Sequence, residues 1–386
     1  MKFSVEIPST SNLIIIGTLS LFAILVLSSS ISTLHTAEAK YVFSKKWGTL
    51  GTGNGQFDQP VRATVDSSGR VYVVDGSNDR IQLFRLATPC PSGTTQIVTG
   101  VCFVRAWGTF GSAIGEFKFP TDVALDSSGR VYVTDGDSGN GRIQMFKGNG
   151  DFIRTWGQWG TGNGQFTDPI GVAVDPFGFV YTVDAQRVQK FQLANPCPAA
   201  TTQVTSGVCF VTKWGTLGSG NGQFNGPKDV AIDTSGIVYV SEFGNNRIQM
   251  FTGNGVFIKS WGTYGSADGQ FKQPFGVTLD PFGYVYVADT GNNRIQKFLL
   301  TPNSCPAGTT QVAFQVCFVT KWGVEGSSDG QFERPTSVSV GGPLGHVFVA
   351  DDSNNRIQEF YWMTDVGGTG GTGGNEPAIA ANQTGK

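Results

Sequence analysis

The chain has 386 residues, of which 54 are glycine and 17 proline, with 27 basic residues against 29 acidic ones. Glycine at about twice its average usage excludes a fold of long helices, because glycine and proline are the two worst residues for a helix interior. The balanced charge, with no lysine or arginine cluster, argues against electrostatic capture of nucleic acid or an anionic membrane, and two histidines, His35 and His346, leave almost no imidazole for metal binding or general-base chemistry.

The N-terminus reads as an export signal. Lys2 precedes a 15-residue apolar run from Leu13 to Leu27, a serine-rich stretch follows, and Ala37-Glu38-Ala39 fits a small-x-small cleavage site. Residues 1–39 are therefore expected to leave, with Lys40 opening the mature chain. The run is shorter than the roughly 20 residues that span a bilayer; an uncleaved anchor is the alternative. After cleavage His346 is the one remaining histidine.

From there the chain repeats. Trp-Gly recurs at Trp47, Trp107, Trp156, Trp214, Trp261 and Trp322, so the chain is counted by repeats and not by length. Each unit continues with a glycine-rich stretch, a GQF-like triplet and a proline (Pro60, Pro120, Pro169, Pro227, Pro274, Pro335), a structured turn in which glycine supplies positive φ and proline fixes φ. Two valine-rich runs joined by SSG or PFG turns follow, as in VRATVD and VYVVD, and read as hairpins. A third run (RIQLF in unit one) and a fourth, with Phe four residues before the next Trp, complete four short strands per unit. Four such strands make a propeller blade. The second is apolar on both faces, as a strand packed between neighbouring blades must be. No fourth strand follows Phe360, whereas Val42 to Gly48 is a spare one. The expectation is all-β: a six-bladed propeller over residues 40–363, with the N-terminal strand completing the last blade.

Six cysteines stand in three near-copies of one segment, CPSGTTQIVTGVCF in the first, each pair twelve apart. In an exported chain this predicts Cys90–Cys102, Cys197–Cys209 and Cys305–Cys317, between third and fourth strands of blades one, three and five, on the face opposite the loops entering the first strand. Trp spacings of 105 to 109 across alternate units indicate a triplicated two-blade unit. The end, residues 364–386, is glycine-rich and aperiodic, and is expected to be a flexible tail.

The pattern Gln-Phe-x-x-Pro, Gly-Val-x-x-Asp, Val-Tyr-Val-x-Asp, Asn-Arg-Ile-Gln-x-Phe, nearly whole in GQFKQPFGVTLDPFGYVYVADTGNNRIQKF, resembles the NHL repeat. The resemblance spans residues 41–361 and implies a six-bladed propeller without implying one function. Relatives include extracellular sensor domains, RNA-binding modules beside ubiquitin ligases, and an amidating lyase. The lyase needs a histidine-based zinc site, the ligase a RING segment and the RNA binder a basic face, none of which this sequence offers.

Residues used six times around a ring read as structure: Arg80, Gln82 and Asp75 with their counterparts form an arginine fork on carboxylates and loop carbonyls. Positions where blades differ are the functional candidates. Two residues after the repeat proline, where Gly171 and Gly276 keep glycine, stand Arg62, Asp122, Asp229 and Ser337, with Lys228 beside Asp229; these five are the expected polar ligand site near the channel mouth. Asp135, Asp137 and Asn140 faintly resemble a calcium loop but lack the completing glutamate; no cofactor is expected, and His346 is expected to be a surface residue. The sequence thus points to an exported, monomeric, non-catalytic binding module for protein, peptide or glycan at the cell exterior. The alternatives are a channel-based hydrolase or lyase using acidic residues and a divalent metal such as calcium, and a self-associating structural surface component.

Overall fold

The computed structural model describes residues 40–136, 139–342 and 345–363. The expected export segment and the glycine-rich tail lie outside the described residues. Six antiparallel sheets, their innermost strands in contact around a ring, form a six-bladed β-propeller. Among the described residues no helix is long and apolar enough to cross a membrane.

Blade one runs outward from Pro60–Val65 through Arg70–Asp75 and Arg80–Leu86 to Val101–Trp107. The last blade holds Pro335–Gly341, His346–Asp351 and Arg356–Met363, and its outermost strand is Lys40–Trp47 from the other end of the chain. That strand pairs antiparallel with Arg356–Met363, from Lys40 opposite Met363 to Trp47 opposite Ile357, so the spare strand closes the ring as expected. Tyr41 anchors it, stacked on Trp322 with centroids 4.1 Å apart and with its hydroxyl 2.8 Å from that of Tyr286.

The three disulfides form as expected, with Cα–Cα distances of 5.6, 5.6 and 5.5 Å. Blades one, three and five nevertheless have five strands rather than four, because Thr95–Val98, Thr202–Thr205 and Thr310–Ala313 pair with the free edge of the fourth strand. The cysteine-closed segment returns as a β-branched arm, and that arm covers an edge that would otherwise present unpaired backbone groups.

Packing between blades explains the repeated aromatics. The phenylalanine of each GQF-like triplet is fully buried, from Phe57 to Phe332, and Trp47 meets Phe84 edge-on at 5.9 Å. Gly48 follows Trp47 at φ 110°, where a Cβ would lie 2.5 Å from the Phe57 ring and 2.7 Å from the Asn355 carbonyl; only glycine fits. The polar repeat is a brace. Arg80 donates from Nε to Asp75 Oδ2 at 2.7 Å and from its two other nitrogens to the carbonyls of Thr52 and Gly53 at 2.6 and 2.9 Å, while Gln82 donates to the Gln56 carbonyl at 2.6 Å. Each blade thereby pins the loop that enters it.

Candidate functional site

In five blades the repeat proline opens the innermost strand, and the ladder is bulged just after it, as where Pro60 faces Asp75 and Arg62 faces Val74, so that of the next two residues the first is the extra one and the second resumes the ladder. The second of them forms a layer inside the channel mouth. There the structure brings Arg62, Asp122 and Asp229 together: Arg62 Nε lies 3.0 Å from Asp122 Oδ1, and its Nη1 donates to Asp229 Oδ2. Asp122 also accepts from the amides of Val123 and Val172, both at 2.7 Å, and Asp229 from those of Val230 and Val277, both at 2.8 Å. Ser337 Oγ accepts from the Ala63 amide at 3.2 Å.

A two-blade pattern governs this layer. In blades two, four and six an acceptor side chain (Asp122, Asp229, Ser337) caps an inner-strand amide of the next blade. In blades three and five the same position is glycine, because a Cβ on Gly171 would lie 3.0 Å from Asp229 Cα and one on Gly276 2.8 Å from Ser337 Cα. Blade one places Arg62 there instead, and its guanidinium bridges the carboxylates of blades two and four. Asp122 and Asp229 are 3% and 2% exposed, so these charges answer one another and line no open surface. Burial pushes the Asp122 carboxyl up to about 7, with Asp229 adding like-charge repulsion against the pull of Arg62. Burial works against the Arg62 charge, and the two carboxylates outweigh it and raise its pKa.

Above this plug lies a bowl of about 430 Å³, walled by Val61, Phe119, Ile170, Lys228, Phe275 and Arg334, and continuous with a cleft of about 570 Å³ that reaches Phe243 and Glu333. Its floor is the first residue after each proline: Val61, Thr121, Ile170, Lys228, Phe275 and Thr336. The Lys228 ammonium sits 5.6 Å from the ring centroids of both Phe243 and Phe275. Burial lowers its pKa, with Asp168 acting the other way. Arg334 Nε lies 3.3 Å from Asp352 Oδ2, whose carboxyl burial pushes up to about 6 in spite of that arginine.

In four blades the rim is held by the residue before the proline. Phe119, Gln273 and Arg334 adopt left-handed φ of 50°, 54° and 58°. Their amides are capped by Asp79, Asn246 and Asn293 of the preceding blade at 2.7, 2.8 and 2.9 Å. The second asparagine of Asn-Asn-Arg is therefore an inter-blade clasp that aims the next blade's rim residue over the mouth.

Of the five expected site residues, Arg62, Asp122 and Asp229 form the plug, Ser337 caps a strand in the same layer, and Lys228 alone faces the bowl. The aromatic walls and Arg334 are not among the residues that the repeat pattern singles out; the signal available is the chemical variety of the position directly after the proline. Elsewhere, Asp135 accepts from Arg142 Nε at 2.8 Å, from the Asn140 amide group at 2.9 Å and from the Lys118 amide at 2.8 Å, as part of its blade's brace; Asp137 lies outside the described residues. His346 is half-buried, with Nδ1 on Glu359 Oε1.

The family model described as NHL repeat matches residues 117–146, 224–251, 271–298 and 332–360. NHL repeat-containing protein 3 of Homo sapiens is 36% identical over 96 residues, 24% of this chain and 23% of that protein; its Mus musculus counterpart is 36% identical over 106 residues, 26% of each. These matches span about a quarter of the relatives' length. Among solved structures, an auxiliary nutrient binding protein from Bacteroides thetaiotaomicron VPI-5482 superposes with a TM-score of 0.52 at 14% identity, covering 84% of this chain and 77% of that one. A protein of unknown function from the same source gives 0.50 at 18% identity, covering 83% and 70%. At such identities the likeness is one of fold.

Proposed function

The chain belongs to the NHL-repeat family, and on that premise we propose that it is an exported, non-catalytic propeller that binds a protein, peptide or glycan at the cell exterior through the bowl at its upper mouth. The observation that carries this reading is a contrast within one repeat. Brace residues such as Arg80 and Gln82 recur in every blade, whereas the bowl floor carries valine, threonine, isoleucine, lysine, phenylalanine and threonine in turn. A scaffold repeated for stability has no need of that variety; a surface shaped to one partner does. Export is supported by the signal-like N-terminus and by three disulfides, which persist in oxidising compartments.

The test compares retention of extracellular partners by the immobilised full-length secreted protein and by a Lys228→Ala/Phe275→Ala variant of equal melting temperature. Partners held by the unaltered protein are expected to be lost from the variant. Equal retention would remove the bowl from consideration and transfer the function to the disulfide-closed hairpins on the other face.

A further inference from the structure

We propose that Lys228 is the docking point for a peptide carboxylate carried next to an apolar side chain, such as a C-terminal aromatic residue. The inference rests on the bowl being the binding surface and names the chemistry it selects.

The first argument is a missing partner. The two buried lysines are satisfied, whereas Lys228 is half-buried: Lys190 donates to the Gly253 carbonyl at 2.9 Å, and Lys297 lies 3.3 Å from the Tyr41 hydroxyl within an aromatic cage. Among the described residues, Lys228 has neither a hydrogen bond nor a carboxylate within 4.0 Å. A partly desolvated ammonium without an acceptor is costly, and burial does lower its pKa. An incoming anion offsets that cost and forms a charge-assisted hydrogen bond.

The second argument is that the surrounding carboxylates do not supply the anion. Asp122 and Asp229 are held by Arg62, and Asp352 is paired with Arg334. Asp168 lines the bowl beyond ion-pairing distance of Lys228, and Glu333 lies in the adjoining cleft. One ammonium that Asp168 compensates only from beyond ion-pairing distance, with a second cation already partly neutralised by Asp352, suits a monoanion better than a phosphate, which favours arginine forks and several donors.

The third argument concerns the body of the ligand. The aromatic walls are Phe119, Phe243 and Phe275, which offer no donor or acceptor. The hydroxyls of Thr121 and Thr336 already donate to the carbonyls of Ile170 and Val61 at 3.0 and 2.9 Å. With those hydroxyls engaged, the three rings offer cover to a phenyl or branched aliphatic side chain. A volume of about 430 Å³ lies in the range of small-ligand pockets.

The experiment titrates the full-length secreted protein, by calorimetry and saturation-transfer NMR, with N-acetyl-phenylalanine and with its neutral match N-acetyl-phenylalaninamide. The acid is expected to bind about tenfold or more tightly than the amide. Lys228→Met should abolish that difference, Lys228→Arg should keep part of it, and Phe275→Ala should weaken both probes. Equal affinity of acid and amide for the unaltered protein overturns the carboxylate assignment while leaving the bowl as a binding surface. No binding of either probe at 10-millimolar order overturns both readings. Tighter binding of methyl glucuronide than of N-acetyl-phenylalanine overturns the choice of a peptide.

Discussion

At Arg62 one guanidinium faces two carboxylates, so the buried layer holds one negative charge in excess, and Asp122 answers by taking a proton up to about pH 7. A carboxyl whose folded pKa lies above its unfolded value of about 3.9 stabilises the fold while protonated. That contribution is full below the unfolded pKa and is lost as pH rises through the folded one. Stability is therefore expected to fall between pH 5 and pH 8 by on the order of 1–3 kcal/mol from this group. Asp122→Asn should flatten that part of the curve, which urea unfolding at a series of pH values reads directly; an unchanged slope would show that both carboxylates stay ionised beside Arg62. Sequence inspection singled out Arg62, Asp122 and Asp229 as departures from the repeat, but they stand 60 and 107 positions apart. Their mutual pairing becomes visible only once the ring brings blades one, two and four to a common axis.

Each hairpin element carries its own logic. The aspartate ending the first strand caps turn amides, as Asp126 does for Ser128 and Arg130 at 2.9 and 3.0 Å, and in blades two to five it receives the tyrosine hydroxyl of the second strand, as from Tyr132 at 2.8 Å, whereas Tyr72 of blade one donates to the Gly148 carbonyl. In the last blade that aspartate is replaced by Gly341 and the tyrosine by Phe348, so acceptor and donor are absent together and neither is left buried alone. The cysteine hairpins show what periodicity hides. Their pairing was legible from spacing, yet the extra strands were not, because four residues such as Thr95–Val98 are too few to distinguish an arm from a loop until the edge they cover is known. Replacing Cys90 and Cys102 by serine is expected to cost about 3 kcal/mol, measured by guanidinium unfolding. A cost near zero would place the stability of this arm in its ladder to Val101–Trp107 alone.

Over the whole molecule, acceptors alternate with glycines around the axis except at Arg62 of blade one, and in four blades a clasp from Asn355, Asp79, Asn246 or Asn293 ties the rim residue to the blade before it. The ring and its closure were open to a sequence reading because a count of strands leaves one over at the N-terminus. The bowl was not, because its floor is made by the bulged residue after each proline and its walls come from loops of different blades, which no spacing in the chain marks. Closure by Lys40–Trp47 also sets how the propeller bears a load. Lys40 and Met363 face each other at one end of the same antiparallel ladder, so a force pulling these two points apart meets the hydrogen bonds one at a time and unzips the last blade. A force applied between Lys46, near the far end of that strand, and Met363 runs along the strands and loads all the rungs together. Single-molecule pulling through cysteine handles at 40 and 363 should therefore open the ring at a clearly lower force than handles at 46 and 363. Equal forces would mean that Tyr41 and its aromatic neighbours, and not the ladder, form the latch.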